Sequence, residues 1–168
     1  MSRLLLLFLM MGPACLATGL SKQRRSEELL PPTCIAVVLV LYLFYCLNLL
    51  PVGFYVAVAG LLGCWGAGVW LHLRRPTKDK LSRFLSPAML AFLLAIIVIW
   101  MVTKRSQTRH FDELHLWAGV PHALYCSDQL QLGPDCLTYP FMQSYYPGIV
   151  LFQYFFQKLG PAFSENGL

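Results

Sequence analysis

Acid–base or metal chemistry calls for carboxylates and imidazoles, and one stretch of this chain supplies both. The run KRSQTRHFDELHLW, which begins at Lys104, places Arg109, His110, Asp112, Glu113 and His115 close together. Asp112, His115, Gly119 and His122 recur at helical spacing, which predicts one polar stripe on a helix over 112–125. Leu114, Trp117, Val120 and Leu124 line another stripe, and Pro121 lacks the N–H that would keep the helix straight. A carboxylate set among imidazoles suits Zn²⁺ or Mn²⁺. The spacing departs from the HExxH pattern of zinc proteases, because His115 and His122 are two helical turns apart. Asp112 alone could act as a general base, or hold a divalent cation through oxygen. The plainest alternative is a solvated face whose acids complement the dipole at the helix start. On the residues alone, all three readings stand.

Further along, Cys126 and Cys136 flank SDQLQLGPD. A disulfide between them is allowed outside the cytoplasm, and closing so short a loop would contribute about 2–3 kcal/mol in the chain-entropy account. Two reduced thiols are the alternative. The other four cysteines sit in apolar runs, where the thiol behaves as a small hydrophobe. Tyr145-Tyr146-Pro147-Gly148 then makes a turn and leads into IVLFQYFFQKL. That run predicts an aromatic-rich helix over 148–159. At about 1.5 Å per residue it is too short to span a bilayer, so an interfacial helix is expected.

The elements that must position these residues are apolar. The chain is 57% hydrophobic and 12% charged, where soluble domains carry roughly 25% charged residues. Mean hydropathy is +0.58. The expected fold is an all-α integral membrane protein with about four transmembrane helices, at 3–20, 33–49, 52–73 and 86–103. A non-cytoplasmic segment, 104–168, follows them. The apolar block 33–73 is too long for one span, and its break lies at Asn48–Gly53. Gly60, Gly63, Gly66 and Gly68 either let helices approach closely or reflect the ordinary glycine content of membrane helices. Ser86-Pro87 reads as an N-cap followed by a first-turn proline. The first run, with Arg3 ahead of it and Gly12-Pro13 inside it, suits either a cleaved signal peptide or a retained span.

Sidedness follows from the basic residues. Segments 21–32 and 74–85 hold three and five Lys/Arg, and the 48–53 turn holds none. If 33–73 is a hairpin, both basic segments face the cytoplasm and residues 104–168 lie outside. A retained first helix with its N-terminus outside fits that arrangement. Basic clusters beside apolar runs point to lipid headgroups and not to nucleic acid. The four spans hold no Asp, Glu, Lys or Arg in their interiors, which counts against an ion-coupled transporter. A Gly-rich phosphate loop and a CxxC pair are also missing from the sequence.

The external segment resembles a group of multi-spanning bacterial membrane proteins, the GT-C type glycosyltransferases that use polyprenyl-phosphate sugars. The matches are Asp112-Glu113, Trp117, Tyr146-Pro147-Gly148 and Leu151-Phe152-Gln153-Tyr154-Phe155, with Phe163-Ser164-Glu165 beyond them. The family's His-Trp is Leu116-Trp117 here, with His115 one place earlier, and its Tyr-Pro-Pro-Gly has lost a proline. The resemblance covers about residues 110–166. It implies a bacterial inner-membrane enzyme of the cell envelope that transfers a sugar from a lipid-linked donor to an acceptor at the outer face. Asp112 and Glu113 would be the catalytic carboxylates, and Asp112 would also be the ligand of any Mg²⁺ or Mn²⁺. Arg109, His110, His115, Trp117 and Tyr146 would contact substrate. Such enzymes have more spans than four, so the resemblance implies an N-terminal portion of one, or a second chain that supplies further helices. The competing class is a non-enzymatic four-helix scaffold or regulatory protein in the membrane.

Overall fold

The computed structural model describes residues 2–20, 26–74, 86–103, 119–128 and 148–163, and no strand occurs among them. The helices are α1 (Ser2–Met10), α2 (Gly12–Leu20), α3 (Leu30–Cys46), α4 (Leu50–Arg74), α5 (Pro87–Thr103), α6 (Val120–Ser127) and α7 (Gly148–Lys158). A single 3₁₀ turn, Ser26–Leu29, leads into α3. Among the described residues, two helices are long and apolar enough to cross a membrane: Ser26–Cys46, which includes that turn, and Leu50–Arg74. Leu5–Leu20 and Pro87–Val98 are apolar but shorter.

The α3–α4 hairpin is built from local chemistry. Prolines occupy the first turn of α3, where the missing N–H groups would have had no helical partner. At the other end Asn48 adopts the left-handed conformation, with φ of 55°, which asparagine tolerates better than most residues. The Asn48 N–H donates to the Tyr45 carbonyl at 2.9 Å and the Leu49 N–H to the Phe44 carbonyl at 2.8 Å. This pair of bonds is a complete Schellman cap. Only Leu47–Leu49 leave the helix, so the break is shorter than the sequence suggested. Gly53 lies inside α4 and serves a different purpose. A β-carbon there would stand 2.6 Å from the Phe44 Cβ, so glycine lets the two arms meet beside their turn.

Each arm buries one narrow stripe. On α3 it is Leu30, Thr33, Val37 and Leu41, and on α4 it is Leu50, Gly53, Ala57, Leu61 and Gly68. This three-and-four spacing suits helices packed nearly side by side. The outward faces carry Ile35, Leu39, Leu43, Val56 and Leu62, all exposed.

The first helical run packs along α4 and runs in the same direction. Gly12 lies against Leu61 and Trp65, Gly68 against Cys15 and Leu16, and Gly19 against Leu71. The Trp65 indole stacks on Phe8 with centroids 4.7 Å apart, and its N–H donates to the Phe8 carbonyl at 2.6 Å. Gly68 meets the expectation of close approach, but Gly60, Gly63 and Gly66 do not. A β-carbon at any of those three would meet nothing within 4 Å. The face of α4 turned to α2 is Leu61, Trp65, Gly68 and Leu71, and the other glycines fall off it.

Ser86 caps α5 as expected: its hydroxyl accepts the Met89 N–H at 3.1 Å. The same hydroxyl donates to the Glu27 carboxylate at 2.7 Å. The start of α5 therefore sits beside the start of α3. Beyond Met89 the described side chains of α5 are mostly exposed. Helix α7 exists as expected, and it is packed among α1, α3, α4 and α6. Gly148 lies near Val38, the Phe155 ring meets Phe54 at a tilt with centroids 5.5 Å apart, and Tyr154 to Gln157 are all buried.

Gly68→Ala should lower the unfolding midpoint in detergent, at a cost of about 1–3 kcal/mol, because its new carbon meets backbone. Gly63→Ala should leave stability unchanged or raise it by up to about 1 kcal/mol. Equal losses in both variants would contradict the packing of α2 on α4.

Candidate functional site

Among the described residues, one group of polar side chains comes together where α6 meets α7. Pro121 is buried in the first turn of α6, and Gly119 before it is already helical. At the far end Asp128 takes the left-handed conformation, with φ of 54°, and its N–H returns to the Leu124 carbonyl at 2.9 Å. Helix α7 presents Tyr154 and Lys158 one turn apart. Both reach the same carboxylate oxygen. The Tyr154 hydroxyl donates to Asp128 Oδ1 at 2.8 Å, and Lys158 Nζ lies 2.6 Å from that oxygen.

The three residues differ in their contact with water. Tyr154 is 1% exposed, whereas the Lys158 and Asp128 side chains are 25% and 34% exposed. Burial, reinforced by the hydrogen bond to Asp128 and by its charge, pushes the Tyr154 phenol far above its ordinary value of 10.0. Tyr154 is therefore a fixed donor and not a base. The Lys158 ammonium stands over the Tyr125 ring at 4.8 Å and the Tyr154 ring at 5.6 Å, which adds cation–π attraction. The rim is His122, Cys126 and Phe163. The His122 ring meets Phe163 edge-on at 4.6 Å, and the Cys126 sulfur lies 3.6 Å from His122 Nε2. This arrangement fixes the end of α6 on α7, with one carboxylate oxygen engaged by a hydroxyl and an ammonium.

Of the residues that the sequence singled out, Arg109, His110, Asp112, Glu113, His115, Trp117, Cys136 and Tyr146 lie outside the described residues. Cys126 is described, and it is an exposed free thiol. Among the described residues, no three His, Cys, Asp or Glu side chains converge as a metal group would. From the sequence no chemical role was read for Asp128 or Lys158, and Tyr154 entered only within the LFQYF stretch. A phenol and an ammonium four residues apart in an aromatic helix were the available signal, since such groups need a shared partner once buried. Comparison with protein-family models, curated proteins and solved structures returned no match.

Tyr154→Phe should weaken docking of α6 by about 1.5–3 kcal/mol, the scale of a hydrogen bond to a charged group. The raised phenol also gives a sign for pH. Its contribution is complete below about pH 10, where the phenol is protonated whether the chain is folded or not. It is lost as pH rises beyond that, because unfolding then releases a proton. Stability measured between about pH 9 and 11.5 should fall more steeply in the native chain than in Tyr154→Phe.

Proposed function

We propose that the chain is an integral membrane protein of about four transmembrane helices. In this reading it is a GT-C-like glycosyltransferase, or a portion of one completed by a second chain. What supports the membrane part is the packing: two span-length helices bury one narrow stripe each and turn exposed Leu, Ile and Val outward. Lipid accepts such faces and water does not. What carries the enzymatic part is the motif run Asp112 to Phe155, together with the seating of its final helix. Leu151 and Phe155 of the LFQYF stretch are fully buried beside the α3–α4 turn, so α7 is tied to one end of the bundle.

On this reading residues 104–168 lie at the non-cytoplasmic face of a bacterial inner membrane, where a polyprenyl-phosphate sugar presents its headgroup. Asp112 takes the proton of the acceptor hydroxyl. The acceptor oxygen forms a bond to the anomeric carbon with inversion, and the bond from that carbon to the phosphate oxygen breaks. Arg109 neutralises charge on the departing phosphate, with hydrogen bonds from His110 or His115. Glu113 is the second carboxylate, and a Mg²⁺ or Mn²⁺ ion would be held by Asp112. Trp117 and Tyr146 shape the sugar pocket.

A second reading, a non-enzymatic membrane scaffold, is favoured by a different observation. The α4 face with Gly60, Gly63 and Gly66 is open, and α5 is largely exposed. Both surfaces could take a partner helix.

Sugar transfer in native membranes should fall about 10²–10⁴-fold in Asp112→Asn and only partly in His115→Ala. Full activity in Asp112→Asn would refute the role assigned to it. Sidedness is separately testable in a Cys46→Ser background. After mild reduction, an impermeant maleimide added to intact cells should label Cys126. Labelling only after permeabilisation would place α6 on the cytoplasmic side and overturn the reading.

A further inference from the structure

Helix α6 sets an imidazole and a thiol one turn apart. His122 and Cys126 are separated by four residues and share a face. The Cys126 sulfur lies 3.6 Å from His122 Nε2, so with the ring proton on Nδ1 the thiol donates to that nitrogen. Both side chains are exposed, and a small molecule reaches the sulfur without any opening of the fold. The imidazole is restrained from outside its own helix. Phe163, beyond the end of α7, meets the His122 ring edge-on at 4.6 Å and the Tyr125 ring at a tilt, 5.7 Å away. A nucleophile beside a base, with the base held by a third group, is the arrangement that activates a cysteine.

The described charges nearby leave the proton between these two groups. Asp128 and Lys158 are paired, the Lys158 ammonium also lies over the Tyr125 ring, and Tyr154 stays protonated. Cys126 stands in the last turn of α6, where the helix carbonyls oppose a resident thiolate. The proton must therefore leave as the sulfur attacks, and His122 is placed to take it. Among the described residues Cys46 is the other exposed thiol, and no described histidine is hydrogen-bonded to it.

We propose that Cys126 is a thiol–disulfide exchange site for low-molecular-weight disulfides, with His122 as its base. The Cys126 proton passes to His122 Nε2 while the sulfur attacks one sulfur of the incoming disulfide. A new S–S bond joins Cys126 to that sulfur and the old S–S bond breaks. The other half of the disulfide leaves as a thiolate and recovers the proton from His122. The two electrons that Cys126 gives up are taken by the departing sulfur, so no further oxidant takes part. Charge develops only on sulfur, and exchange asks for access and a proton acceptor. Acyl transfer to the same thiol would also need donors for an oxyanion. The inference stands apart from sugar transfer, in which neither residue has a part.

The test uses the full chain in detergent, reduced and then freed of reductant, with 2-hydroxyethyl disulfide as the probe. Tandem mass spectrometry follows the mixed disulfide at each cysteine with time. An unassisted thiol is only a few per cent ionised at pH 7, which leaves room for about a tenfold gain from a neighbouring base. His122→Gln should therefore slow Cys126 about tenfold at pH 7. In the native chain the Cys126 rate should rise as the imidazole loses its proton near about pH 6.5, and then level off between about pH 7 and 8. Cys46, and Cys126 in His122→Gln, should instead keep climbing toward about pH 8.5, as an unassisted thiol does. The native profile needs no substitution, so it decides the matter even where the variant folds poorly. A Cys126 profile of the same shape as that of Cys46, or an unchanged Cys126 rate in His122→Gln, would overturn the proposal.

Discussion

A helix that ends in a tight reversal leaves its last carbonyls without helical partners, and the turn itself must supply them. The turn at Leu47–Leu49 meets that demand with two short bonds into the last turn of α3, made possible by a left-handed asparagine. The rest of the arrangement follows from it. The reversal sets α3 and α4 antiparallel, which brings the start of α3 and the start of α5 together through Glu27 and Ser86. Phe54, placed just past the turn, gives the Phe155 ring a tilted aromatic partner and so helps to seat α7. Seated there, α7 offers Tyr154 and Lys158 to the capping aspartate of α6.

Helix ends were the most legible part of the sequence, because their signals are local. Ser86-Pro87 announced a cap and a first turn, and Asn48 with Pro51 announced a hairpin. Which face of α4 would be covered was not legible. Glycine recurs so often along that helix that composition alone offered several close-packing stripes. The choice was made by a partner distant in sequence, through Gly12 and Gly19 on α2. Helix α7 was read as interfacial from its length and aromatic content. Its enclosure depends on α3 and α6, which no property of its own eleven residues announces.

The polar cluster illustrates a similar limit. Asp128 and Tyr154 are twenty-six positions apart in sequence, and neither stands out in isolation. Attention went to Asp112 and Glu113 because two acids beside three histidines form a dense chemical signal. That signal concerns residues outside the described ones, so the motif carries the enzymatic proposal. The described cluster has a different character. Its carboxylate oxygen is already shared by a phenol and an ammonium, which makes it a fastening between helices more than a reagent.

The seam between α2 and α4 has a consequence for the first twenty residues. By composition they look like a disposable leader, a greasy run with small residues near its end. In the folded chain they supply the carbonyl that receives the Trp65 indole and the backbone that closes over Gly68. Trimming them away would uncover a groove along the longest helix and take away the ring that Trp65 stacks on. The segment thus forms one side of a packed seam, and a chain without it would leave that side of α4 uncovered.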